Sequence, residues 1–152
     1  MKFKILIDKK ESNNEHILKD FEKYKVPIEK TGLLLGDYAI QISTIVLPVV
    51  IKRMKDYQEF KNVFMDKKMD VNKNNSFFKD IKRAHKTGKE VILLVEDNFF
   101  MDRVFKDEKV HNKVIELETT YKNLRIVPIS KNLTGKYIYL IAHFKAKNRF
   151  NN

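Results

Sequence analysis

The chain has 152 residues, a formal charge of +11 and an apolar fraction of 43%, so it is long enough for one domain with a continuous core and too apolar for wholesale disorder. It has no cysteine, which excludes a disulfide framework and a thiolate metal site and fits a reducing cytoplasm. No apolar run reaches the roughly 18 residues of a membrane span, and the start reaches Asp8 too soon for the apolar stretch of a signal peptide.

Residues 2–8 turn from alternation to an apolar run (Phe3, Ile5, Leu6, Ile7) that ends in an acid, the pattern of a buried strand. Ser12 or Asn13 can cap a helix whose Ile17, Leu18, Phe21 and Tyr24 share one face, with Pro27 stopping it. Gly32 and Gly36 bracket three leucines, and Asp37 opens a strand through Tyr38, Ile40 and Ile42. Ser43-Thr44 predicts a turn into an apolar strand over residues 45–51. Pro48 lies inside that strand and marks an edge or a bulge.

A helix is predicted over residues 55–66, with Tyr57, Phe60, Val63 and Phe64 as its apolar stripe. Residues 67–75 (KKMDVNKNN) are the most polar stretch and predict a mobile loop. A second helix follows over residues 76–87, with Phe77, Phe78, Ile81 and Ala84 inward and Gly88 closing it. Five apolar residues bounded by charge, 91–95, have the pattern of a central parallel strand. In Phe99-Phe100 one ring is expected in the core and the other outside it. Val110, Val114, Leu117 and Tyr121 mark an amphipathic helix, residues 125–129 a short strand, and residues 134–148 a last helix with Ile138, Ile141 and Phe144 or Lys145 at its faces. Strands alternating with helices, plus one early hairpin, predict an α/β sandwich on a mixed central sheet. No repeat or linker divides residues 1–152, which are read as a single domain.

Asp8 ends the first strand and Asp37 begins the second, so adjacent strands can bring them together at one sheet edge, with Glu11 close behind. Two carboxylates converging there offer hard oxygen ligands to Mg²⁺ or Mn²⁺, and such an ion can activate water against a phosphodiester. The bland alternative is that both acids are polar strand ends. The basic run Lys52, Arg53, Lys55 beside this edge is the best local phosphate-binding candidate. Only 5 of the 31 basic residues are arginine. That charge favours a polyanionic partner, because each cation on a phosphate releases condensed counterions, although part of it is simply solvated lysine surface. His16, His85, His111 and His143 are scattered without zinc-site spacing, and there is no glycine-rich phosphate loop or Gly-x-Ser-x-Gly motif.

The order Asp8-x-x-Glu11, helix, Leu33-x-x-Gly36-Asp37-Tyr38, apolar strand and Leu93-Leu94-Val95-Glu96 resembles the nuclease domain of the XPF/Hef group. That group lies within the PD-(D/E)XK, restriction-endonuclease-like class. The likeness extends over residues 4–144, with residues 77–84 (FFKDIKRA) similar to a helix of standalone phage and bacterial members. It implies a restriction-endonuclease-like mixed sheet flanked by helices. It also implies active-site acids at Asp8, Glu11 and Asp37, a further acid at Glu96, and Mg²⁺ or Mn²⁺ as cofactor if the site is active. Where the family carries Glu-Arg-Lys, the matching tripeptide is read here as Ile51-Lys52-Arg53. Isoleucine cannot ligate a cation, and arginine can hold a phosphate but cannot serve as a base. An acid from the next helix, Asp56 or Glu59, is the available substitute, giving a metal set of Asp8, Asp37 and Glu59.

These features together predict a DNA-binding nuclease-fold protein with a degraded metal site. The alternatives are an active, structure-selective Mg²⁺- or Mn²⁺-dependent endonuclease, and a pseudonuclease acting as a protein-binding regulator or the non-catalytic subunit of a dimer. The helix-hairpin-helix module that often follows such domains does not fit within 152 residues. DNA affinity is therefore expected from this domain or from a partner.

Overall fold

A computed structural model describes residues 2–65 and 76–151; the predicted loop at 67–75 lies outside them. The elements are β1 (Lys4–Asp8), α1 (Glu15–Lys23), β2 (Ile28–Thr31), β3 (Tyr38–Ile42), β4 (Ile45–Val46), β5 (Val49–Met54), α2 (Tyr57–Phe64), α3 (Ser76–Lys86), β6 (Glu90–Val95), α4 (Phe100–Lys106), α5 (Glu108–Thr120), β7 (Leu124–Pro128), a 3-10 turn (Lys131–Leu133) and α6 (Thr134–Asn151). Seven strands form one mixed sheet, ordered β2-β1-β3-β5-β6-β7 with β4 paired to β3. The β5-β6-β7 half is parallel, and β3 runs antiparallel to both β1 and β5.

Strand alternation divides the core between the two faces of the sheet. Val50, Met54, Val91, Leu93 and Val95 pack with the apolar stripes of α2, α3, α4 and α5. Val49, Ile51, Ile92 and Leu94 pack on the other face with Ile17 and Phe21 of α1 and Ile138, Ala142 and Ala146 of α6. The inward face of α6 is thus Ile138 followed by two alanines, and Phe144 lies on its exposed face. Small residues there let the helix approach the sheet closely. Phe100 is fully buried and Phe99 is 62% exposed, so that pair divides as expected, on a short α4 that the sequence pattern did not signal.

Three departures from the sequence reading have local causes. The α1 cap is Asn14, not Ser12 or Asn13; its side-chain amide donates to the Tyr38 hydroxyl at 3.2 Å instead of capping the helix. Strand β2 was not expected, because its four residues are exposed or half-buried on a sheet edge and show no apolar pattern. Pro48 splits the predicted strand at 45–51 into β4 and β5. The Val49 N–H bonds the Leu47 carbonyl in a tight turn and the Pro48 carbonyl accepts from Glu90. Proline, lacking an N–H, ends one ladder and begins the next. Gly88, at φ +69°, closes α3 as predicted.

Candidate functional site

The ends of β1, β3, β5 and β6 meet at one edge of the sheet, and a cleft of about 1180 Å³ opens there. All the sequence-predicted site residues line it: Asp8, Glu11, Asp37, Lys52, Arg53, Lys55 and Glu59. Gly36 shapes the entry to β3. It sits at φ +76°, and a Cβ there would come within 2.7 Å of Val50 Cγ1 and 2.9 Å of the Ile51 carbonyl. Only glycine lets the chain pass this close to β5. Asp37 then donates its own N–H to the Ile51 carbonyl and accepts from Asp8 N–H through its carbonyl. The backbones of Asp8 and Asp37 are therefore bonded, as the strand-edge argument required.

Their carboxylates are otherwise engaged. Asp8 Oδ1 accepts the Leu33 N–H at 2.9 Å and Oδ2 the Lys10 N–H at 3.3 Å, holding the loop before β3. Asp37 Oδ2 accepts the Arg53 N–H at 2.9 Å, and Oδ1 meets the Lys52 ammonium at 3.3 Å. Burial pushes the Asp37 carboxyl above its ordinary range despite the Lys52 charge and the Arg53 amide, with Glu11 adding to the rise. Lys52 also lies over the Phe77 ring, 5.7 Å from its centroid. Asp80 of α3 lines the cleft nearby, and burial likewise raises it against the pull of Lys52.

The side chains of β5 alternate as expected: Ile51 and Arg53 face α1 and α6, while Lys52 faces α3. The sequence reading set Ile51 and Arg53 at the acid and lysine positions of the family tripeptide. Ile51 has no exposure and belongs to the core beneath α1 and α6, whereas the cation beside Asp37 is Lys52. Two residues earlier on the face of Lys52 stands Val50, 5% exposed and against Gly36. If Lys52 is taken as the lysine of the family tripeptide, Val50, not Ile51, stands in its acid position.

Arg53 is held in a buried network. Its Nε and Nη2 meet the two Glu11 carboxylate oxygens at 3.0 Å each, Nη1 reaches Glu96 at 2.6 Å, and Nη2 also donates to the Ser12 carbonyl at 2.6 Å. The side chains of Arg53, Glu11 and Glu96 are 10%, 9% and 3% exposed. Glu96 accepts in addition from Thr134 at 2.6 Å and His16 at 2.8 Å. Burial alone would raise the Glu96 carboxyl; the Thr134, Arg53 and His16 donors outweigh it and hold it low. The Arg53 guanidinium, penalised by burial, is held more firmly charged by Glu11 and Glu96. Arg53 thus has four acceptors of its own.

Asp56 and Glu59 form the N-terminal cap of α2. Asp56 accepts the Glu59 N–H at 2.9 Å, and Glu59 reaches back to the Lys55 N–H at 2.7 Å. A divalent cation of the kind the family suggests wants several free oxygen ligands pointing at one centre. Among the described residues no three acids or histidines converge in that way, and the Asp37 carboxylate already holds an ammonium. As arranged, the donor set does not fit the ion. Sequence reasoning missed Asp80, although its position three residues after Phe77 and next to Ile81 places an acid beside an inward stripe.

The ERCC4 domain family model matches residues 7–141. No curated protein matches the chain. Among solved structures it is similar to XPF from Aeropyrum pernix, at 17% identity and a TM-score of 0.66 over 93% of this chain and 61% of that one. It is also similar to XPF from Aeropyrum pernix in complex with DNA, at 19% identity and a TM-score of 0.67 over 95% of this chain and 66% of that one. The chain thus spans a little under two thirds of either structure, and the likeness establishes a restriction-endonuclease-like α/β fold.

Proposed function

The chain belongs to the ERCC4 domain family, and from that premise we propose that it is a DNA-binding nuclease-fold domain whose cleft has exchanged a metal for an internal cation. The observation that carries this reading is the Asp37–Lys52 contact at 3.3 Å, with apolar Val50 where a second carboxylate would complete the centre. An ammonium beside a buried carboxylate competes directly with a divalent ion for the same oxygen. The phosphate contacts are assigned to the exposed lysines around the cleft, Lys9, Lys10 and Lys55; Arg53 is excluded because its donors are already engaged. That XPF from Aeropyrum pernix is known in complex with DNA supports the partner class. No helix of the described residues is long and apolar enough to cross a membrane.

The test combines duplex binding by fluorescence anisotropy with a Mn²⁺-dependent nicking assay on plain and flapped DNA. Salt-sensitive binding without nicking is the expected result, and Mn²⁺-dependent cutting would overturn it. A second reading, an active Mg²⁺- or Mn²⁺-dependent endonuclease, draws on one feature: Asp37 and Lys52 still stand side by side, with Asp56 and Glu59 lining the same cleft.

A further inference from the structure

Among the described residues, eight carboxylates (Asp8, Glu11, Glu15, Asp37, Asp56, Glu59, Asp80, Glu96) line the cleft against six cations. At the opposite end of the sheet, where β5, β6 and β7 begin, a hollow of about 630 Å³ shows the reverse balance. Lys122, Arg125, Lys145 and Arg149 line it, and Glu90 is the one carboxylate among its described residues. Glu90 stands between two of these cations, accepting from Arg125 at 3.2 Å and Lys145 at 2.8 Å. It thereby fixes both side chains at the mouth of the hollow while neutralising only one charge. Asn123 and Asn148 add carboxamide donors.

We propose that this end of the sheet is a second nucleic-acid site, taking the phosphodiester backbone of a strand segment other than the one at the cleft. The inference rests on the reading that the domain binds DNA. Two arginines suit phosphate, whose oxygens pair with a guanidinium fork. No aromatic side chain lines the hollow among the described residues, so bases have nothing to stack on and recognition is of the backbone alone. The six residues of β5 span roughly 20 Å at the rise of a strand, about a duplex diameter, so a straight duplex that crosses the strand ends at the cleft does not reach this end. The patch therefore holds another arm of a branched DNA or a second molecule.

The test uses the full chain and a short labelled duplex, with affinity measured by anisotropy across a salt series and stoichiometry by sedimentation. Two variants are compared: Lys122→Glu/Arg125→Glu/Arg149→Glu in the patch and Lys9→Glu/Lys10→Glu/Lys55→Glu at the cleft. All six side chains are exposed, so both proteins should fold, which their circular dichroism checks. The wild type is expected to bind two duplexes and the patch variant one, with the slope of log K against log salt at that end reduced by about 2–3. Glu90→Gln, which frees Arg125 and Lys145, should strengthen binding several-fold, an effect that a merely structural carboxylate would not give. If the patch variant keeps the wild-type slope and stoichiometry while the cleft variant loses all binding, the second site is refuted and the proposed function stands. A wild type that binds no DNA at low salt refutes both.

Discussion

Replacing Arg53 with methionine separates a structural cation from a phosphate ligand. The substitution keeps the aliphatic stem but leaves Glu11 and Glu96, 9% and 3% exposed, facing the gap. Glu96 retains Thr134 and His16, whereas Glu11 loses both bonds to the guanidinium and keeps the neighbouring Ser12 N–H at 3.1 Å and the Tyr38 hydroxyl. Removing one partner of a buried ion pair costs about 3–5 kcal/mol. For a chain of this size that lowers Tm by roughly 6–20 °C. Without the guanidinium Glu96 loses one of the donors that hold its carboxyl low, so the deficit should be largest at neutral pH and shrink as that carboxyl is protonated on acidification. Adding Glu11→Gln should recover part of the loss. Urea unfolding followed by circular dichroism gives the stability, and anisotropy gives DNA affinity, which should stay within about twofold. A stability loss under about 1 kcal/mol with a tenfold fall in affinity would show that Arg53 holds phosphate and that the network is incidental.

The two perturbed carboxyls should move stability with pH in opposite senses. Glu96, held below its ordinary value near 4.5, contributes stability above that value that is lost as pH falls through its folded pKa, so Glu96→Gln should destabilise at pH 7 and become neutral in acid. Asp37 is raised above its ordinary 3.8 and favours the fold when protonated, so Asp37→Asn should raise Tm at neutral pH; a lower Tm there would mean that Lys52 and the Arg53 amide outweigh burial. Ile51→Glu places an unpaired charge in the core and should cost about 4 kcal/mol or more, while Val50→Glu, on the face of Lys52 and against Gly36, should cost less and create Mn²⁺ binding measurable by calorimetry. Equal losses without metal binding would remove Val50 from the site. With about six phosphates contacted, DNA affinity should fall by about 10³ between 50 and 200 mM salt, and a flat response would count against backbone binding.

What the sequence made legible follows from where burial leaves a pattern. Residues 91–95 are apolar on both sides because β6 lies between parallel neighbours under two helical layers, so a bare apolar run identified it. The Asp8–Asp37 edge was legible for the same reason: two apolar strands each met an acid at the same end of the sheet. Strand β2 carried no such mark, since an edge strand can be built from charged residues when its stability comes from the backbone ladder. The site was harder to read because alternation tells which residues of β5 share a face, not which face borders the cleft. That depended on the packing of α1 and α6 over Ile51 and of α3 beside Lys52, contacts distant in sequence. The engagement of Arg53 by Glu11 and Glu96 is equally non-local, and a short basic run gave no sign that one of its members lay beneath the surface.

Whether Lys52 takes the place of a metal at the Asp37 carboxylate is decided by assaying wild type and Asp37→Asn together for DNA affinity and for Mn²⁺-dependent nicking. Neither protein is expected to cut, and affinity should be unchanged or slightly higher in the variant, from which a negative charge near phosphate has been removed. Mn²⁺-dependent cutting by the wild type that disappears in Asp37→Asn would contradict this and establish an active endonuclease.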